Sequence, residues 1–338
     1  MQISIALSND CNHAVTQTLH DGSLFRSADW CGAIAEGCGY APAALVVRHD
    51  AELVAALPLC LGRDLFRRRI AVALPFTAAV NVPDAPRLGA AIMRNAPRAC
   101  ADAGIDRLQL RAAEPFGGES AGANLEHVTY ALPLNGSAAD LLARSSPDHR
   151  RRLRLVREAG TFRIETTSVA VFYDVYCRRM KELGSPAAPA SLFAQIARRF
   201  GGAVAVLAAL DGNGACAAAM FLLAHGSTSY FLWGAASRLH HGQHVNHLLY
   251  RAAIEWALER GFETFDFGRS DVRGGTGRFK KQFGAVARQL FYYDFDRTGA
   301  LVRTLPRRGM FLGSRLWRHL PQRMTDAAGS YVCGALFP

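Results

Sequence analysis

Residues 265–284 read FDFGRSDVRGGTGRFKKQFG and hold an unusual choice of cation. The chain has 36 Arg and only three Lys, yet Lys280 and Lys281 sit side by side here. An ammonium is a compact point charge on a flexible stem and can follow one oxygen, whereas a guanidinium matches a planar two-oxygen partner. A developing oxyanion or a single phosphate oxygen would therefore explain the lysine, and a donor aimed at an oxyanion contributes about 2.7–4 kcal/mol. Asp266 alternates with Phe265 and Phe267, so in a strand it faces away from them and can orient an amine, pair with Arg269 or cap a loop. The four glycines of GRSDVRGGTG, with Arg269, Arg273 and the following Arg278, read as a flexible loop. Such a loop either closes over phosphates or a sugar, or is plain surface.

Two further clusters carry candidate chemistry. In SSPDHRRRLRLVREAG, 145–160, Ser146 and Pro147 suit a helix start and Gly160 a helix end. Arg150, Arg151, Arg152, Arg154 and Arg157 then ring a short helix that is either a solvated connector or a phosphate-binding rim. In SRLHHGQHVNH, His240 and His244 have i, i+4 spacing, but no carboxylate completes a metal set. No GxSxG, Cys–His pair at recognisable spacing or P-loop is present, which removes support for hydrolase and NTPase chemistry.

These residues need elements to hold them. Phe172, Val175, Tyr176 and Leu183 share one face of a helix predicted near 168–183, stopped by Gly184. A short helix at about 191–200 leads into strands at 203–210, 215–223 and 228–234, the first two joined by a DGNG turn. A helix over about 244–260, with a stripe from Val245 to Ala257, ends at Gly261 before the strand ETFDFG. The first half repeats that order: AALVVR, LVAALPLC and IAVALPF as strands, a helix near 87–103, then DRLQLR. Gly104 aligns with Gly261, each at a helix end just before a strand. The repeat predicts an α/β (α+β) chain of two sister domains. Their expected bounds are 1–144 and 145–300, followed by a basic amphipathic tail over 301–338.

At 338 residues, half of them hydrophobic, the chain is long enough for two cores. Residues 1–140 carry 11 Arg against 14 acids, whereas 141–338 carry 28 Lys and Arg against 14 acids. That one-sided field suggests a polyanionic partner: RNA, a nucleotide-linked substrate or an anionic membrane. The tail, with six Arg against one acid, is either a membrane-surface helix or a strap on the second domain. Eight scattered cysteines and a start lacking a secretory pattern lead us to expect the cytoplasm, with the tail offering peripheral contact at the membrane's inner face.

The helix ending at Gly261, FDFGRS, RFKKQFG, HRRRLRLVREAG and MKELGSP together resemble the FemAB-like branch of the GNAT superfamily, and most nearly its exosortase (PEP-CTERM)-associated members. That resemblance implies two tandem GNAT-like domains, each a mixed, mostly antiparallel sheet flanked by helices, that transfer an acyl group to an amine. The donor would be aminoacyl-tRNA or acyl-CoA as co-substrate, with no permanently bound cofactor. The acceptor would be an amine of a cell-envelope, exopolysaccharide or small-molecule precursor. The FK pair of Fem-type transferases maps onto Phe279 and Lys280, giving Lys280, Asp266 and Phe279 as catalytic candidates. The donor-binding turn maps onto Arg238, Gly242, Gln243 and His244, where His244 departs from the small residue of CoA-dependent enzymes. Arg269, Arg273, Arg278, Arg150 and Arg154 complete the binding candidates, and no metal site is expected. PFTAAVNVPD, 75–84, departs from the glycine-rich acceptor segment of peptidoglycan-bridge enzymes. The alternatives are an acyl-CoA-dependent N-acetyltransferase and a non-catalytic double-GNAT scaffold that binds RNA or membrane.

Overall fold

A computed structural model describes residues 3–11, 14, 24–50, 52–73, 86–116, 122–240, 242–302 and 310–335. The segment 75–84 lies outside them, as does His241. The first half opens with β1 (Ile3–Ser8) and α1 (Ala28–Cys38), then β2 (Ala41–His49), β3 (Glu52–Arg63) and β4 (Arg69–Ala73). α2 (Pro86–Asp102) leads to β5 (Arg107–Ala112), with Gly104 left-handed between them at φ 74°. The second half repeats that plan with β8 (Val204–Leu210), β9 (Cys216–His225), β10 (Thr228–Ala236), α7 (Val245–Glu259) and β11 (Thr264–Asp271). Gly261, φ 75°, stands where Gly104 does. Among the described residues, the only parallel pairing in each unit joins the strands on either side of the helix, β4 to β5 and β10 to β11.

The two sheets cross the expected 144/145 boundary in both directions. β6 (His127–Pro133) lies in the second sheet beside β11, and β13 (Phe291–Asp296) lies in the first beside β5. The strand orders are β1-β2-β3-β4-β5-β13 and β12-β6-β11-β10-β9-β8-β7, with β7 (Arg163–Thr166) and β12 (Val286–Gln289) at the edges. Each unit therefore receives one strand from the other. Alternation in HVTYALP and FYYDFD marks strands, but which sheet takes them depends on pairing far along the chain.

Between the sheets' contributions run α3 (Ala138–Arg144), α4 (Pro147–Ala159), α5 (Val169–Leu183) and α6 (Ala190–Phe200). The Ser146 side chain accepts from His149 N, and Gly160 closes α4 in the left-handed region, as its sequence predicts. One face of the second sheet buries Leu207, Met220 and Leu222 with Val245, Leu249 and Ala253 of α7. Its other face buries Val206, Phe221 and Leu223 against α5, α6 and the first half. There α1 crosses α6 so closely that a Cβ on Gly37 would lie 2.5 Å from Leu192 Cα. Ser191 Oγ donates to Gly37 O at 2.6 Å, and Arg198 meets Glu36 at 2.9 Å.

The tail forms α9 (Met310–His319) and α10 (Gln322–Ala335), which pack on α5, with α10 also against β3. Arg318 donates to Leu183 O at 3.2 Å. Those contacts are the strap arrangement. Among the described residues no helix is long and apolar enough to cross a membrane.

Candidate active site

β10 and β11 pair at only three positions, Thr228↔Thr264, Ser229↔Phe265 and Tyr230↔Asp266, and then part. Two irregularities accompany the separation. β10 shifts register on β9 between Phe231 and Trp233, and β11 shifts on β6 between Asp266 and Arg269. Gly268, φ 70°, is drawn to where an added Cβ would lie 2.9 Å from Phe231 O, which explains a glycine in FDFG. Because α7 is the crossover between these parallel strands, its N-terminus lies beside the end of β10, where the strands have parted.

Asp266 sits at the vertex. Its Oδ1 accepts from Gly268 N at 2.6 Å and from Thr129 Oγ1 of β6 at 3.0 Å. Burial raises its pKa above the ordinary carboxylate value, against those two hydrogen bonds and the nearby charges of Lys280 and Arg288. Phe265 and Phe267 point to the other face, under α7, as alternation predicts. Tyr230, paired with Asp266, packs its ring on Phe25 of the first half at 5.2 Å. The carboxyl therefore lies on the face turned to the first half.

Lys280 comes from α8 (Gly275–Lys281), a helix within the stretch expected as a loop. Only Val272–Gly274 lie between β11 and α8; Arg269 belongs to the strand and Arg278 to the helix, both exposed, and Arg273 is exposed in the turn. The expectation of a long flexible arginine loop is thus corrected: the bulge at Gly268 lets the strand continue through GRSD, and GTGRFKK coils. Lys280 is 2% exposed, and its ammonium donates to Gly268 O at 2.8 Å and Arg269 O at 3.0 Å. Burial lowers it to about 8, with Asp266 opposing that shift and Arg269 adding to it. Lys281 is exposed. Phe279 joins an aromatic cluster with His247, Tyr250 and Phe283, at centroid distances of 5.0, 5.2 and 5.2 Å.

The turn before α7 holds exposed Arg238, Gly242 and Gln243, with Gly242 at φ 92° and His244 at φ 59°. His244 makes no side-chain cap, so the first N–H groups of a 15-residue helix have no capping side chain. Burial lowers the His244 imidazole, Arg152 and Arg151 of α4 lower it further, and Asp148, with which both guanidiniums pair, opposes them. His240 Nδ1 lies 3.1 Å from Gln243 Oε1. His149 Nδ1 and His247 Nδ1 are 2.8 Å apart, one donating to the other, and join α4 to α7. Burial pushes His149 down to about 4 and His247 to about 3, so both are neutral at pH 7.

Of the expected binding arginines on α4, Arg150 donates to Ala143 O at 2.9 Å and to Ser145 O, and Arg154 pairs with Glu158 at 3.8 Å. Those contacts hold the C-terminal end of α3 and the surface of α4, while Arg151 and Arg152 both pair with Asp148, at 3.1 and 2.9 Å. Thr129, Arg288 and Tyr230 were not legible as site residues. The signal for Thr129 and Arg288 would have been the pairing of β6 and β12, and for Tyr230 the register of β10 on β11, which no local pattern reveals.

Residues 144–281 match the family model for the acetyltransferase (GNAT) domain. The crystal structure of FemX superposes with a TM-score of 0.61 at 14% identity, covering 86% of this chain and 97% of that one. A tandem GNAT protein from the clavulanic acid biosynthesis pathway gives 0.54 at 15%, covering 88% and 99%. The C-terminal domain of a putative lysylphosphatidylglycerol synthetase from Agrobacterium fabrum gives 0.52 at 15%, covering 84% and 92%. Among curated proteins none matches the sequence. Residues 144–281 thus carry an acyltransferase domain of GNAT type, and the chain shares its fold with the FemX and tandem GNAT structures.

Proposed function

We propose that the protein transfers an aminoacyl group from aminoacyl-tRNA, or an acyl group from a related activated donor, onto the amine of a cell-envelope, exopolysaccharide or small-molecule precursor. The observation that carries this reading is the parting of β10 and β11 beyond Tyr230 and Asp266, with the uncapped end of α7 beside it. A donor ester or thioester laid between the strands would meet backbone N–H groups no longer engaged across the gap, suited to the oxygen of a tetrahedral intermediate. The donor's phosphates would lie on the α7 N-terminus with Arg151, Arg152 and Arg238. Asp266, desolvated at the vertex with one oxygen fixed by Gly268 and Thr129, suits orienting the acceptor amine and receiving its proton. Lys280 holds the bulge from below and keeps a positive charge near the reacting carbonyl.

Two features favour a tRNA donor: His244 where close approach to a pyrophosphate calls for a small residue, and the basic second half. The acyl-CoA alternative draws on the similar tandem GNAT protein from the clavulanic acid biosynthesis pathway, whose structure is described as being without AcCoA. Thermal unfolding with each donor class decides between them. Aminoacyl-tRNA should raise the midpoint and acetyl-CoA should not; the reverse overturns the tRNA reading. In a reconstituted transfer, Asp266→Asn should lower kcat by about 10²-fold or more with the fold intact. Undiminished kcat removes Asp266 from the chemistry.

A further inference from the structure

The turn joining β3 to β4 runs Arg63-Asp64-Leu65-Phe66-Arg67-Arg68-Arg69, and its apex is apolar: Leu65 is 53% and Phe66 79% exposed. A single exposed hydrophobe needs no explanation, but two adjacent ones on a turn held rigid from inside do. Asp64 Oδ1 accepts from Phe66 N at 2.9 Å and Arg68 N at 3.0 Å, and its Oδ2 accepts from Arg68 Nε at 2.7 Å. Arg63 Nη1 donates to Arg67 O at 2.9 Å, and Arg67 sits in the left-handed region at φ 62°. Asp64 is the only acid in the turn, so four guanidiniums leave it strongly cationic. Arg69 reaches back to Ala103 O at 2.9 Å, which anchors the base of the hairpin on the end of α2. The Arg68 guanidinium lies 5.3 Å from the Phe66 ring centroid.

We infer that this turn is a wedge that seats the protein on an anionic lipid bilayer. Leu65 and Phe66 enter the boundary between headgroups and acyl chains, and Arg63, Arg67 and Arg68 meet lipid phosphates. Charge complementarity selects the occupant: the apex suits a fluid apolar layer, and the collar behind it suits the phosphate plane that borders that layer. Arginine stems can extend along apolar surface while their heads stay at the phosphates. Each cation close to an anionic leaflet adds to the attraction, so the collar and the wedge act together. The membrane contact thus belongs to a hairpin of the first half, while the C-terminal helices strap the molecule. It does not depend on the chemistry proposed above, and its test involves no turnover.

The full-length protein is sedimented with phosphatidylcholine vesicles and with vesicles enriched in phosphatidylglycerol. Binding to the anionic vesicles, weakened by added salt, is expected. Leu65→Ser with Phe66→Ser should weaken that binding about tenfold or more with an unchanged unfolding midpoint. A Phe66→Trp variant should gain blue-shifted emission over wild type only with anionic vesicles. The inference is overturned if the wild type ignores those vesicles, or if the double serine variant binds them as well. Sedimentation velocity showing self-association that depends on Phe66, or Phe66→Trp emission that responds to RNA and not to vesicles, overturns it in favour of another partner.

Discussion

Lys280 carries the sharpest pH prediction, because burial holds its ammonium near 8 rather than 10.5. If transfer needs the charged form, kcat/KM should fall above pH 8 with the loss of one proton, and Lys280→Met should abolish that limb. Stability moves the other way. Between about 8 and 10.5 the unfolded chain holds the proton that the folded one releases, so folding becomes more favourable as pH rises through that window. Lys280→Arg should lower activity more than stability, since a planar fork cannot converge on the carbonyls of Gly268 and Arg269 as a tetrahedral ammonium does. Equal activity of the arginine variant would reject that account. The rarity of lysine in the sequence drew attention to this residue. Its partners, two carbonyls on a bulge, were not legible, because a bulge is created by pairing with β6.

At the level of elements, the vertex and the α4–α7 junction are the parts most exposed to test. Gly268→Ala places a Cβ against Phe231 O in a left-handed conformation and should destabilise by about 1–3 kcal/mol, read as a lower denaturant midpoint. The His149–His247 pair should weaken in acid. Both imidazoles sit below their ordinary value, so their contribution is complete above about pH 6.5 and is lost as pH falls toward 4. Replacing both with Leu should flatten the difference in unfolding midpoint between pH 7 and pH 5, whereas replacing one should destabilise by about 1–3 kcal/mol by leaving a buried nitrogen alone. An unchanged acid limb in the double variant would discount the pair. Periodicity in the sequence marks α5, α7 and the strands β8 to β10 within a few residues, because burial on one side imposes it. GTGRFKK escapes that reading: glycine argues for a loop, and only docking of Gly277 and Lys280 beneath the second sheet makes it helical.

For the whole molecule, reciprocal strand exchange means that neither half can complete its sheet alone. Calorimetry should give one cooperative transition rather than two, and a chain ending at residue 144 should not reach a folded state because β5 lacks β13. Two separated transitions, or a folded fragment by dispersed NMR spectra, would contradict this. The sequence repeat pointed to two sister units, and the sheets do contain two. What it could not reveal is that β6 and β13 trade places, since strand alternation carries no address.

That trade also shapes how the protein is made. Arg107 of β5 meets Asp294 of β13 across 187 positions of sequence. At about 5–20 residues per second, the ribosome takes roughly 10 to 40 s to deliver the missing strand. Throughout that interval β5 offers an open edge, and β6 waits for β11. The nascent chain is therefore a natural client for chaperones that shield strand edges, and translation speed over residues 113–296 should influence yield more than the stability of the finished fold.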